Sequence, residues 1–163
     1  IFLFDPNDHL GARYLLVDAF LRIGDDTSAL TICAAHDDDD GASILYGLAL
    51  ALLRLGRNDD AQAAIEKAVD ARPLVAEALV RPSREPPPGY RPGYITLGGA
   101  DEAWEYAREC GDLWESTPGA HEWLAGMLKR VDAELTHSRS TRRRHTPAAP
   151  DNVIPFPGKR DKS

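Results

Sequence analysis

Residues 45–73 read LYGLALALLRLGRNDDAQAAIEKAVDARP. Leu45, Leu48, Leu52 and Leu55 recur at spacings of three and four, which sets them on one face of a helix. Gly56 follows, and glycine takes the left-handed conformation that stops a helix at little cost. Asn58 stands where it would cap a second helix, whose Ala61, Ala64, Ile65 and Ala68 form a narrow apolar stripe before Pro73 closes the unit. Small alanines on that stripe let the two helices pack close and antiparallel. The stretch reads as a helical hairpin.

The same pattern stands one unit earlier. Leu16, Phe20, Gly24 and Ala29 align with Leu48, Leu52, Gly56 and Ala61 at a constant offset of 32 residues, and the offset also pairs Tyr14 with Tyr46 and Arg22 with Arg54. Six matched positions in one register mark an internal repeat. In the first unit Asn7 or Asp8 is the expected cap, a helix runs to about Ile23, and Gly24-Asp25-Asp26 makes the turn. A clipped second helix passes through Ala29, Ile32 and Cys33.

Leu45, Leu48-Ala49, Leu52, Gly56, Ala61, Ile65, Ala68 and Pro73 resemble the small/large pattern of a tetratricopeptide repeat. The first unit resembles it through Leu16, Phe20, Gly24, Ala29 and Cys33, with His36 where the repeat prefers Ala and Gly41 where it prefers Pro. Its spacing falls short of about 34 residues for the family. Further on, Tyr94, Glu102-Ala103, Tyr106, Trp114 and Thr117-Pro118-Gly119-Ala120 before Trp123-Leu124 are similar to the closing element of bacterial tetratricopeptide proteins of no established activity. Those proteins open with a segment matched here by Asn7-Asp8, Gly11 and Arg13-Tyr14.

The resemblance implies an all-α chain: a short tetratricopeptide-like helical-hairpin array (α-solenoid) closed by Trp-containing C-terminal helices, with a disordered tail. Residues 1–81 are assigned two hairpins plus the start of a third, from Leu74 to Val80. Residues 82–98 form a loop that Pro86-Pro87-Pro88-Gly89 and Pro92-Gly93 keep from being helical. Residues 99–135 form a closing helical hairpin in which Trp104, Trp114 and Trp123 are expected to cluster and Thr117-Pro118 to start the last helix. Residues 136–163 are assigned to a basic, Pro-rich, disordered tail.

Charge divides along the same boundary. The formal net charge of −7 resolves into 12 basic against 24 acidic side chains over residues 1–135, a net of −12, and 7 against 2 in the tail, a net of +5. An acidic body does not grip a phosphate backbone, so nucleic acid is unexpected for the body and open for the tail, where Arg142-Arg143-Arg144 cluster. Val153-Ile154-Pro155-Phe156-Pro157 is an apolar island there, either a docking motif or residual packing. No run of about 18 apolar residues exists to span a bilayer. Ile1-Phe2-Leu3-Phe4 has no basic n-region or cleavage site, and without an initiator Met the chain reads as a fragment or processed product, with the cytoplasm as default location.

Chemistry-bearing motifs are sparse. Two cysteines, Cys33 and Cys110, exclude a disulfide-stapled scaffold and a four-cysteine zinc site, and both fall on apolar stripes that suit core positions. Asp37-Asp38-Asp39-Asp40 beside His36 lacks the ligand spacing of a calcium loop and reads as a solvated turn. The five histidines form no zinc-binding pair, and no nucleophile elbow or phosphate loop is present. The expectation is a non-enzymatic chain with no cofactor and no metal.

In arrays of this kind the first helices line a concave surface. Helical phase puts Tyr14, Asp18 and Arg22 on that face in the first unit, and Tyr46, Leu50 and Arg54 in the second. Tyr supplies rigid contact area and Arg holds carboxylates bidentately, so these six residues form a candidate binding surface for a protein or peptide partner. The alternative is that Tyr and Arg cover neighbouring helices. The paired Lys and Asn with which some family members clamp a peptide C-terminus are replaced by Tyr14 and Asp18. The functional expectation is a non-catalytic protein-interaction module or adaptor; the second reading is a nucleic-acid-associated or regulatory factor acting through the tail.

Overall fold

The computed structural model describes Asp8 and residues 11–144. Among these, seven helices occur: α1 (Ala12–Ile23), α2 (Asp26–Ala35), α3 (Ala42–Arg54), α4 (Asn58–Ala71), α5 (Pro73–Val80), α6 (Ala100–Ser116) and α7 (Ala120–Arg144). No strand is present among the described residues, and an isolated bridge joins Arg91 and Tyr94 in the loop. No helix there is long and apolar enough to cross a membrane. The chain divides into a compact unit, residues 1–131, and a second unit, residues 132–163.

Local chemistry explains the boundaries. Gly24 takes φ 77° and its amide closes α1 onto the Leu21 carbonyl, after which Asp25 caps α2 by accepting from the Ser28 amide at 3.1 Å. Gly56 repeats this at φ 70°, where the Arg57 amide bonds the Leu52 carbonyl at 3.0 Å. That tight closure leaves Arg57, and not Asn58, at the cap position of α4; Asn58 is already helical. Asp59 and Asp60 in the first turn face the positive end of the helix dipole instead. Pro73 opens α5, where its missing N–H costs no hydrogen bond.

Successive helices pack against each other from α1 to α6, and α1 also meets α3. The core of the first unit runs through Val17, Cys33, Ile44, Tyr46, Leu50, Ile65, Val75, Trp114 and Leu124, all buried. Helix α6 packs most extensively on α5 and also reaches α3 and α1. It therefore lies across the first helices of the array rather than beyond its end.

Three expectations are corrected here. The tryptophans do not cluster: Trp114 is in the core, Trp104 sits against the proline loop with its Nε1–H donating to the Ser83 carbonyl at 3.1 Å, and half-buried Trp123 donates to Gln62 Oε1 at 3.1 Å. Amphipathic spacing puts the three residues on helices but does not say which neighbour each helix face meets. Thr117 terminates α6 instead of capping α7, because its hydroxyl donates to the Leu113 carbonyl at 2.7 Å. Helix α7 runs to Arg144, past the expected end near Leu135. No Gly or Pro interrupts residues 127–144. Residues 145–163, including Val153 to Pro157, lie outside the described residues, as do Ile1 to Phe4.

Candidate functional site: the inner face of the repeats

Each first-helix residue singled out by phase has a definite place. Tyr14, at the start of α1, donates its hydroxyl to Asp39 Oδ2 at 2.7 Å and accepts from Arg13 Nη2 at 2.8 Å. Asp39 also accepts from Arg13 Nε at 2.6 Å and from the Gly41 amide at 2.8 Å. Burial works to raise the Asp39 carboxyl, but the Gly41 amide, the Tyr14 hydroxyl and the Arg13 guanidinium outweigh it and hold the carboxyl below its ordinary range. Arg13 further pairs with Asp8 at 2.8 Å, and Asp8 accepts the Ala12 and Arg13 amides at 2.6 and 3.0 Å; it serves the first turn of α1 from upstream, while the N-cap position itself is Gly11 and not Asp8 as expected, and Asn7 lies outside the described residues. The aspartate run thus contributes a structural anchor through Asp39.

Tyr46 and Leu50 are fully buried, so neither is presented to a partner. The Tyr46 hydroxyl donates to the Arg72 carbonyl at 2.8 Å, and its ring meets Tyr106 and Trp114 at centroid distances of 5.8 and 6.1 Å. Arg54 is mostly buried too. It donates to the Leu21 carbonyl at 2.8 Å, to Thr117 Oγ1 at 2.8 Å and to the Leu113 carbonyl at 3.0 Å, and lies 3.5 Å from Asp26. Leu21 and Leu113 stand near the C-terminal ends of α1 and α6, where the helix dipole favours a cation. Arg22 bonds the Glu109 carbonyl and Asp112 Oδ2, the latter at 2.7 Å, while Asp18 accepts from Arg22 Nε at 3.0 Å. The physical reason for the correction is α6: it occupies the face to which these side chains point, so the alternative reading, Tyr and Arg covering a neighbouring helix, describes Tyr46 and Arg54.

Glu102 stands in the closing-element resemblance, but neither its partners nor Arg72 carried a sequence signal. Glu102 is buried and accepts the Ala42 amide at 3.0 Å and the Gly98 amide at 2.6 Å, so a carboxylate from α6 caps α3, whose own N-cap Gly41 has no side chain to do so. Arg72 stands 3.3 Å from Glu102 and 2.9 Å from Asp40. Spacings of 60 and 30 residues between such partners leave no periodic trace. Tyr90 donates to Glu105 and meets the Trp104 ring edge-on at 4.9 Å, which ties the proline loop to α6.

Two concavities stand out among the described residues. A cleft of about 310 Å³ lies where α1 and α3 begin, lined by Tyr14, Ser43, Ile95, Leu97, Glu105 and Glu109 among others. A wider groove of about 520 Å³ runs between α5, α6 and Pro86-Pro87-Pro88. Cys33 and Cys110 open onto neither; burial first of all pushes both thiols up to about 12, away from nucleophilic use at neutral pH. Among the described residues no three His, Cys, Asp or Glu side chains gather as a metal-holding group.

Residues 46–81, which span α3 to α5, match the family model of the tetratricopeptide repeat. The chain carries a tetratricopeptide repeat. No curated protein and no solved structure matches it. Tetratricopeptide repeats generally mediate protein–protein interactions, and in this one the second unit is packed by its own chain at Tyr46, Leu50 and Arg54. Of the six candidate residues, Tyr14 lines the smaller of these two concavities, where it is joined by Ile95 and Leu97 of the proline-containing loop.

Proposed function

We propose that the chain is a non-catalytic adaptor that holds a segment of a protein partner in the cleft between the starts of α1 and α3, the 95–97 loop and α6. The observation that carries this reading is the composition of the cleft wall. Exposed Ile95 and Leu97 stand beside Glu105, which accepts from Tyr90, and exposed Glu109, which pairs with Arg108 at 2.7 Å, and among the described residues no Lys or Arg lines the cleft. Such a wall suits a segment with an apolar side chain next to Lys or Arg: the aliphatics remove apolar area from water, and the carboxylates attract the cation. Tyr14 adds a rigid aromatic edge.

Peptide display against the immobilised chain tests it. Enriched sequences are expected to join Leu, Ile or Phe to Lys or Arg, and to lose binding to an Ile95→Asp/Leu97→Asp variant. Selected peptides that bind this variant and the parent chain equally would refute the cleft.

A further inference from the structure

The loop before α6 ends in a short segment whose main-chain groups alternate. The Tyr94 amide bonds the Arg91 carbonyl at 3.1 Å, the Thr96 amide bonds Asp101 Oδ2 at 2.8 Å, and the Thr96 carbonyl accepts the Gly99 amide at 2.7 Å. Between them, the Ile95 amide and carbonyl and the Leu97 amide have no hydrogen-bond partner among the described residues. In an extended chain the groups of successive residues point to opposite edges in this way. The side chains agree: Ile95 and Leu97, two residues apart, both line the cleft, as residues i and i+2 of a strand share a face. They are 43% and 66% exposed. One edge of residues 94–97 is thus held by Asp101 at the start of α6 and by the turn in which Gly98 takes φ 75°. The other edge is open.

We infer that the partner segment enters the cleft extended and adds a strand to the open edge at Ile95 and Leu97. This rests on the cleft being the partner site and adds how the partner lies in it. Main-chain bonds to the Ile95 amide and carbonyl and the Leu97 amide fix the register, and alternate side chains of the partner fall on the cleft face. Ile95 and Leu97 offer apolar contact to one of these side chains. Glu105 is engaged by the neutral Tyr90 hydroxyl and so keeps its charge, which attracts a cation at the next cleft-facing residue. The occupant is therefore a strand with an apolar residue and a Lys or Arg two positions apart. A helical segment would present them three or four apart and leave the open main-chain groups unmatched. A second copy pairing through its own 95–97 segment would bring the same carboxylates of the two cleft walls together, and like charges oppose that.

The probe is the synthetic peptide acetyl-Ser-Leu-Thr-Lys-Thr-Arg-Ser-amide, with Leu, Lys and Arg at steps of two, titrated into the full 163-residue chain and followed by amide NMR. Binding is expected to slow hydrogen exchange at the Ile95 and Leu97 amides, to leave the already bonded Thr96 amide unchanged, and to be lost in Ile95→Asp/Leu97→Asp. Methylating one peptide nitrogen at a time should weaken binding about five- to tenfold at alternate residues, the loss of one hydrogen bond, and by less than about twofold at the residues between them. N-methylation that weakens binding equally at every interior residue, or at none, overturns the strand while leaving the cleft as the site, since Ile95→Asp/Leu97→Asp still abolishes binding. A peptide that binds the parent chain and this double variant alike, or binds neither, overturns the cleft and the strand together.

Discussion

Arg22 and Arg54 stand 32 residues apart at equivalent positions of the repeat, and both donate to main-chain carbonyls of the same helix, Glu109 and Leu113, one turn apart on α6. Neighbouring helices lie about 8 to 10 Å apart, whereas one turn of α6 advances about 5.4 Å. The length of the arginine side chain takes up the difference. The repeat thus grips a helix of its own chain with the residues that helical phase aims inward.

Arg54 is the stronger of the two grips because it is 16% exposed, against 38% for Arg22. Arg54→Ala leaves the Leu21 and Leu113 carbonyls and Asp26 short of a partner and should cost about 2 to 3 kcal/mol in urea unfolding. Arg54→Lys should recover less than half of that, since an ammonium cannot meet three acceptors that a planar guanidinium spans. Arg22→Ala, exposed and screened, should cost about 1 kcal/mol or less. Equal losses at the two sites would contradict this ranking.

Gly47 is required by contact rather than by backbone conformation. Gly47→Ala drives a Cβ into Val17, which is 1% exposed and cannot swing aside, and should cost about 1 to 3 kcal/mol. Adding Val17→Ala should relieve part of the penalty, so that the double variant is more stable than the sum of the singles predicts. Gly111→Ala in α6 meets nothing within 4 Å and should stabilise by about 0.5 to 1 kcal/mol through helix propensity. Thermal or urea unfolding of the parent chain and these four variants, Val17→Ala alone included, decides the point.

Asp39 ties stability to pH. Its carboxyl is held below the ordinary 3.8 in the fold, so ionisation favours the folded chain. The contribution is complete above about pH 5 and is lost as pH falls through the lowered folded value. Asp39→Asn should therefore be less stable than the parent by about 1 to 3 kcal/mol at pH 7, with the gap closing below about pH 4. A gap that stays constant from pH 7 to pH 3 would assign the loss to packing rather than to charge.

The thiols report on opening of the core. With burial raising both Cys33 and Cys110 to about 12, an aromatic disulfide reagent at pH 8 should leave the native chain unmodified over minutes and label two thiols once urea unfolds it. Rapid labelling of one thiol in native buffer would mean that α6, which carries Cys110, detaches from Asp18 and its neighbours without global unfolding.

The hairpins were legible because their signals are local. Leucine spacing in α3, alanine spacing in α4 and the glycines at 24 and 56 act within a few residues of themselves, and helix bounds followed closely from them. The closing helices were legible as helices for the same reason. Their seating was not: Trp114 and Trp123 each stand on an apolar helix stripe, yet Trp114 enters the core and Trp123 remains half-buried against Gln62. The candidate face failed at Tyr46 and Leu50 because phase tells which way a side chain points from its own helix and says nothing of what arrives there.

Periodicity and turn chemistry by themselves determined that this chain is a helical array with a tetratricopeptide pattern and a glycine-punctuated hairpin order, since each of those properties is decided within one or two helical turns. Tertiary structure alone decided that α6 fills the inner face, that Glu102 caps α3 from 60 residues away, and that the Ile95–Leu97 cleft and the groove beside Pro86-Pro87-Pro88 stay open. Those outcomes depend on contacts such as Arg54 to Leu113, whose partners are joined by a proline-rich loop. A loop of that kind sets how far α6 can travel, and only side-chain packing sets where it comes to rest.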